Sequence, residues 1–324
     1  MKIGPIDIKQ PIVLAPMEDV TDIPFRLICR RMGADIVYTE FTSSEAIIRE
    51  AKRALKKIRV LEEERPVAIQ IYGGVEESMH GAAQRVEKLQ PDFIDINCGC
   101  WVKNHAFRGE GAGLLRDLNQ FERIVKATVK GTKLPVTVKT RLGWDDQSIV
   151  ILDVAKMLEQ CGIHALTVHC RTRCQGYQGT ADWSWIEKIK KATTLPLIAN
   201  GDIDSPEKVK QLFDEGCDGV MIGRAAIGNP WFFKQTKYFL QNGEHLPTPS
   251  MKERIDVCIE HLKLSAQHRG LPYGVTTFRK YYAGYLKEVP NVAHLRKDLM
   301  QYLEPQDVID RLYQFLDQQT VVLT

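Results

Sequence analysis

The feature that most restricts the fold of this chain is a rhythm of short apolar segments, many rich in β-branched residues, separated by amphipathic stretches. The segments read IVLA (12–15), DIVYTE (35–40), VAIQIYG (67–73), FIDIN (93–97), PVTVKTR (135–141), ALTVHCR (165–171), LPLIANG (195–201) and DGVMIG (218–223). Strands this uniformly apolar are buried on both faces, and a helix between each pair makes neighbours parallel. Eight such units predict an α/β fold of the (β/α)8 TIM-barrel type. Phe121-Ile124-Val125-Thr128 and Val209-Leu212-Phe213 show the helical period between strands. Ser205-Pro206 supplies a cap and a first-turn proline for the second of these helices, and Gly216 stands where it should stop. Ile3, Ile6 and Ile8 around Gly4-Pro5 predict a small hairpin closing one end of the barrel.

With 324 residues, the chain is long enough for such a barrel and a small second domain. We place the barrel at 1–242 and a C-terminal all-α helical bundle at 251–324, joined by QNGEHLPTPS (241–250). Ser250 and Glu253 have capping-box spacing for a helix that ends at Gly270, and three further helical patterns follow. Basic and aromatic residues interleave in this tail: Arg269, Arg279-Lys280-Tyr281-Tyr282, Lys287 and Arg296-Lys297. The pattern reads equally as a track for an RNA backbone or as a solvated face over an aromatic core.

No run of about 18 apolar residues occurs, and MKIGPIDIKQP lacks an apolar signal core, so no membrane and a cytoplasmic location are expected. The eight cysteines form no CxxC pair and His169-Cys170 with Cys174 has no tetrahedral spacing, so reduced thiols and no metal are expected. A formal charge of +3 permits a nucleic-acid partner without requiring one.

Chemistry is expected at the carboxyl ends of the strands, where barrels build their sites. Polar residues collect there: Met17-Glu18, Glu40, Gln70, Asn97, Lys139 with Arg141, His169 with Arg171, Asn200-Gly201-Asp202 and Gly223-Arg224. The last two groups offer glycine amides and a guanidinium where barrels commonly hold a phosphate, which implies a phosphorylated cofactor. After the fourth strand comes Asn97-Cys98-Gly99-Cys100. We expect Cys98 to be packing and Cys100, beyond the strand on a flexible loop, to carry chemistry.

The chain resembles the tRNA-dihydrouridine synthases, in LAPMEDVTDIPFR, INCGC with GAGLL, VKTRLGW, VHCRTRCQGYQGTADW, ANGDI, MIGRAAIGNPWFF and FRKYYAGYLK. The resemblance implies FMN across the barrel mouth, NADPH (or NADH) as hydride source, and reduction of the 5,6 double bond of uridines in the D-loop of tRNA. It places Pro16, Met17 and Glu18 near the flavin, Gln70 and Lys139 at its polar edge and His169 on its inner side. Asn200, Gly201, Asp202, Gly223 and Arg224 would hold its phosphate, and Cys100 would donate the proton to carbon 5 of the uracil. Asn97, Arg141, Arg171, Arg173 and Tyr177 would meet the RNA, and the enzyme would act as a monomer. One departure is Trp101, where the family usually has proline; the flanking Val102-Lys103 match. Two other classes compete: an FMN barrel for small molecules, such as an ene-reductase or dihydroorotate dehydrogenase, and a tRNA-binding protein without catalysis. The first lacks the RTRxQGYxGxADW segment and the basic tail; the second is disfavoured by Cys100 and Lys139.

Overall fold

The computed structural model describes residues 1–102, 106–289 and 292–322, so Lys103 lies outside the described residues. The eight predicted strands form as β1 (Ile12–Leu14), β2 (Val37–Tyr38), β3 (Val67–Tyr72), β4 (Phe93–Cys98), β5 (Val136–Arg141), β6 (Ala165–His169), β7 (Leu197–Asn200) and β8 (Gly219–Ile222). β2 to β8 pair in parallel in chain order, and β8 pairs with β1. Backbone hydrogen bonds from Leu14 N–H to the Ile36 carbonyl and from Asp35 N–H to the Ile12 carbonyl, both 2.9 Å, join β1 to β2 and complete the ring.

Alternation along these strands sorts the barrel interior into layers. The lowest is apolar, with Val13, Ile36, Phe93, Ala165 and Ile198 packed together and Ile3 plugging them from the hairpin Lys2–Ile3 with Ile6–Asp7. The middle layer is polar: Asp95 accepts from Gln70 Nε2 at 2.6 Å and from the Thr137 hydroxyl. Registers that set Asn97 beside Lys139, Arg141 beside His169 and His169 beside Asn200 then bring the polar strand ends together in the top layer.

Helix limits follow the caps. Ser205 accepts from Lys208 N–H at the start of Pro206–Asp214, and Gly216 follows that helix with φ of +97°. Helix Trp231–Asn242 ends at Gly243, and the Ser250–Glu253 capping box opens helix Met251–Arg269. The tail continues through Tyr273–Phe278, Tyr282–Tyr285, Val292–Leu299 and Pro305–Val322. It packs on helix Ile23–Arg31, where the Phe25 ring lies 5.5 Å from His261 and 5.3 Å from Tyr281.

The tail's basic and aromatic interleaving resolves toward the inside. Tyr281 and Tyr282 are buried, Arg279 donates to the Tyr302 carbonyl, and Arg296 donates to the carbonyls of Ala283 and Leu286. Lys280 donates to the Asp19 carbonyl and Arg269 to the Asp22 carboxylate. Arg279, Lys280 and Arg296 each donate to a main-chain carbonyl over an aromatic core, while Lys280, Lys287 and Lys297 remain exposed.

Candidate active site

One cavity of about 880 Å³ opens at the carboxyl ends of the strands. Pro16, Met17, Glu18, Asn97, Cys100, Lys139, Arg141, His169, Tyr177, Asn200, Gly201, Asp202, Gly223 and Arg224 all line it. Three predicted site residues do not: Gln70, Arg171 and Arg173. The volume is that of a cofactor pocket.

Its floor is cationic and strongly constrained. Lys139 donates to Asn200 Oδ1 at 3.0 Å, and Asn200 Nδ2 donates to the Met221 carbonyl at 2.8 Å. Burial, then the nearby Arg141, pull the Lys139 ammonium down to about 8. Burial and the charges of Arg141 and Lys139 hold His169 well below the usual imidazole range, so it is neutral. Its Nδ1 is buried with no hydrogen-bond partner among the described residues. An orphaned ring nitrogen, an ammonium with donors to spare and a Cβ-free position at Gly223, beside Met17 and Ala15, suit an anionic aromatic cofactor.

At the β7 and β8 ends, Arg171 and Arg224 converge on Asp202. Arg171 spans both Asp202 oxygens at 2.9 and 2.6 Å, Arg224 reaches Oδ1 at 3.2 Å, and Ala181 N–H donates to Oδ2 at 2.9 Å. Burial raises the Asp202 carboxyl, but its hydrogen bonds to Arg171 and to the Ala181 N–H leave it below its ordinary value. An ionised carboxylate repels phosphate, and the Asp202 side chain here aims two guanidinium groups. Sequence reasoning missed Lys208, which lines the same corner and donates to the Asp202 carbonyl at 3.2 Å. It also missed Trp183, whose indole N–H donates to the Gly201 carbonyl at 3.1 Å. Lys208 sits in the first turn of the helix after ANGDI, a position the sequence displays but does not single out.

Cys100 sits in a hydrogen-bonded turn just beyond the end of β4. Asn97 Oδ1 accepts from Gly99 N–H at 3.1 Å and Cys100 N–H at 2.9 Å, while its Nδ2 donates to Gln70 Oε1 at 2.9 Å. Asn97 thus folds the strand end into a tight turn that presents the thiol to the cavity, and its Nδ2 keeps a second N–H beside the cavity that it lines. Gln70, fully buried one layer down between Asn97 and Asp95, supports that turn. Burial raises the Cys100 thiol, against the lowering effects of the Val102 N–H and Arg141, so it stays protonated at neutral pH. Cys98 is fully buried, as expected of packing. Asp95 was overlooked, although the alternation Phe93-Asp95-Asn97 puts it on the site's face; burial pushes it up to about 6.

The mouth is less freely positive than expected. Arg141 donates to the carbonyls of Gly99, Thr172 and Gly176. Arg171, 2% exposed, is committed to Asp202, Gln178 and Gly179 and ties these loops together. Arg173 lies over the Trp144 ring at 4.6 Å and the Phe107 ring at 5.4 Å. Tyr177 is exposed, with Arg224 over its ring at 4.7 Å and Trp101 edge-on at 5.6 Å. Trp101 also covers Gly176, where a Cβ would meet its ring at 3.5 Å. The turn that lacks a proline is therefore braced by an aromatic contact to the loop after β6.

Comparison with known proteins agrees with this geometry. The family model described as "Dihydrouridine synthase (Dus)" matches residues 13–320. The chain is 38% identical over 317 residues to a probable tRNA-dihydrouridine synthase of Rickettsia bellii, covering 97% of each protein. It is 39% identical over 297 residues to tRNA-dihydrouridine synthase B of Pseudomonas aeruginosa, covering 91% of this chain and 90% of that one. Among solved structures, morphinone reductase shares the fold with a TM-score of 0.52 at 14% identity, over 74% of this chain and 88% of that one. Among the described residues no helix is long and apolar enough to cross a membrane.

Proposed function

Because this chain belongs to the dihydrouridine synthase family, we propose that it reduces the 5,6 double bond of uridines in the D-loop of tRNA, with FMN in the barrel mouth and NADPH as the source of hydride. The observation that carries the proposal is the Cys100 thiol, held protonated by burial and presented by the Asn97 turn into the cavity that Lys139 and His169 line. When bound, the flavin supplies hydride chemistry to carbon 6 of the uracil.

The chain's own residues do the rest. Lys139 stays cationic below about pH 8 and would offset the negative charge of a reduced flavin held in this cavity. His169 offers Nδ1 as an uncommitted hydrogen-bonding atom on the inner wall. Arg224 and Lys208, with the Gly223 backbone, form the corner for the phosphate, and Asp202 orients Arg224. Cys100 gives its proton to carbon 5 of the uracil. Tyr177 and Trp101, exposed at the rim, flank the route by which a base leaves its stack.

Purified protein supplied with FMN and NADPH should convert uridine to dihydrouridine in unmodified tRNA transcripts, located by reverse-transcription mapping. Reduction of a small enone with no reaction on tRNA would instead assign the site to small-molecule chemistry.

A further inference from the structure

Two segments that the reaction leaves unused, IGNP after β8 and RKYYAGY in the tail, meet beside the cavity. Gly228 and Gly284 lie backbone to backbone. A Cβ on Gly284 would stand 2.3 Å from the Ile227 carbonyl oxygen, and one on Gly228 would stand 2.6 Å from Gly284 Cα. That spacing admits hydrogen and nothing larger, and Gly228 also has φ of +66°. One turn earlier, the Tyr281 hydroxyl donates to the Val20 carbonyl at 2.7 Å, next to the Lys280 contact with Asp19. Val20 and Ile227 both line the cavity, on the loops that follow β1 and β8. Those two strands are paired neighbours, so one turn of the tail grips two adjacent walls of the pocket.

We propose that Tyr281 and Gly284 are positioning residues for the cofactor cavity: they fix the loops after β1 and β8 at the separation that the flavin requires. The inference rests on the flavin assignment above. It makes the tail a structural part of the cofactor site and not an appended RNA arm alone. Loop carbonyls near a pocket need fixed donors, and Tyr281 supplies one from a rigid helical turn.

Tyr281→Phe keeps the ring's packing on Phe25 and His261 and removes the hydroxyl alone. Its dissociation constant for FMN, followed by the fluorescence of released flavin on dilution of the holoenzyme, should rise about three- to tenfold, the range for one lost hydrogen bond. The upward shift of Tm produced by added FMN should shrink, and the visible circular dichroism of bound flavin should change. Gly284→Ala, which forces the seam apart, should do the same more strongly. An unchanged FMN dissociation constant in Tyr281→Phe, with Tm lowered equally at low and at saturating FMN, would show a seam that serves stability only and overturn the proposal. Failure of the wild-type protein to bind FMN would instead overturn the flavin assignment itself, a result read before any variant is made.

Discussion

The barrel mouth and the tail use their charged side chains in opposite ways. In the mouth, Lys139, Arg141 and His169 crowd one cavity and burial lowers the pKa of each: Lys139 to about 8, Arg141 to about 10 and His169 well below the usual range. In the tail, Arg279, Arg296 and Arg254 donate to the carbonyls of Tyr302, Ala283 and Tyr285, where cations satisfy main-chain groups that helices leave open. The mouth accepts mutual repulsion and desolvation to keep a cationic pocket; the tail relieves polar strain to keep a shape. Arg141, which donates to three carbonyls, follows the tail's pattern as well, so the contrast rests on Lys139 and His169.

The largest effect should come from the mouth. Cys100→Ala is expected to slow reduction of tRNA uridine by on the order of a hundredfold or more while leaving reduction of the flavin by NADPH close to wild type. Cys98→Ala, from the fully buried neighbour, should lose about 1 kcal/mol of stability and little rate. Anaerobic stopped-flow measurement of the two half-reactions separates them. If the alanine at 98 stalls while the alanine at 100 turns over, the two thiols have exchanged roles.

Next comes the tail. Arg296→Ala strips the donor from two carbonyls and should lower stability by about 2 kcal/mol, with tRNA affinity altered less than about twofold. Urea midpoints and tRNA-binding titrations measure both quantities. A large loss of affinity at unchanged stability would break the contrast, because the tail's arginines would then face RNA.

The smallest effect concerns the layer beneath the mouth. Asp95 is raised from 3.8 to about 6, chiefly by burial, against hydrogen bonds from Gln70 and Thr137 that lower it. Between these values the folded state binds more protons than the unfolded one, so this group's contribution to stability falls as pH rises from about 4 to 6 and stays low above that. Asp95→Asn should therefore gain on wild type as pH rises through this window. At pH 8 it should be more stable by about 1 kcal/mol after allowing for one poorer hydrogen bond. Denaturant unfolding at pH 4 and pH 8 tests the sign; equal differences at both pH values would mean that the carboxyl is not raised.

The proposed division at residues 242 and 251 meets the same contrast. Phe25 of the barrel packs on His261 and Tyr281, and Tyr281 holds the loop after β1, so a chain cut near 242 should lose flavin as well as tRNA. A truncated barrel that stays folded and yellow would show that the mouth needs nothing from the tail.

The amino-acid sequence by itself determined the eight-strand rhythm, the caps at Ser205 and Ser250 and the residues at each strand end, because these depend on local period and on partners a few residues away. It also displayed Asp95 through alternation with Asn97, a signal legible once the strand was drawn. It did not determine which polar side chains remain uncommitted. Lys280 donates to the Asp19 carbonyl, 261 positions away, and Arg171 pairs with the Asp202 carboxylate, 31 positions away. Long side chains take whatever acceptor the packed structure brings within about 3 Å, and no periodicity encodes that choice. The tertiary structure alone therefore tied Arg171, Asn97 and Gln70 to other protein groups, and set Asn97 with Lys139, His169, Cys100 and Arg224 along the cavity.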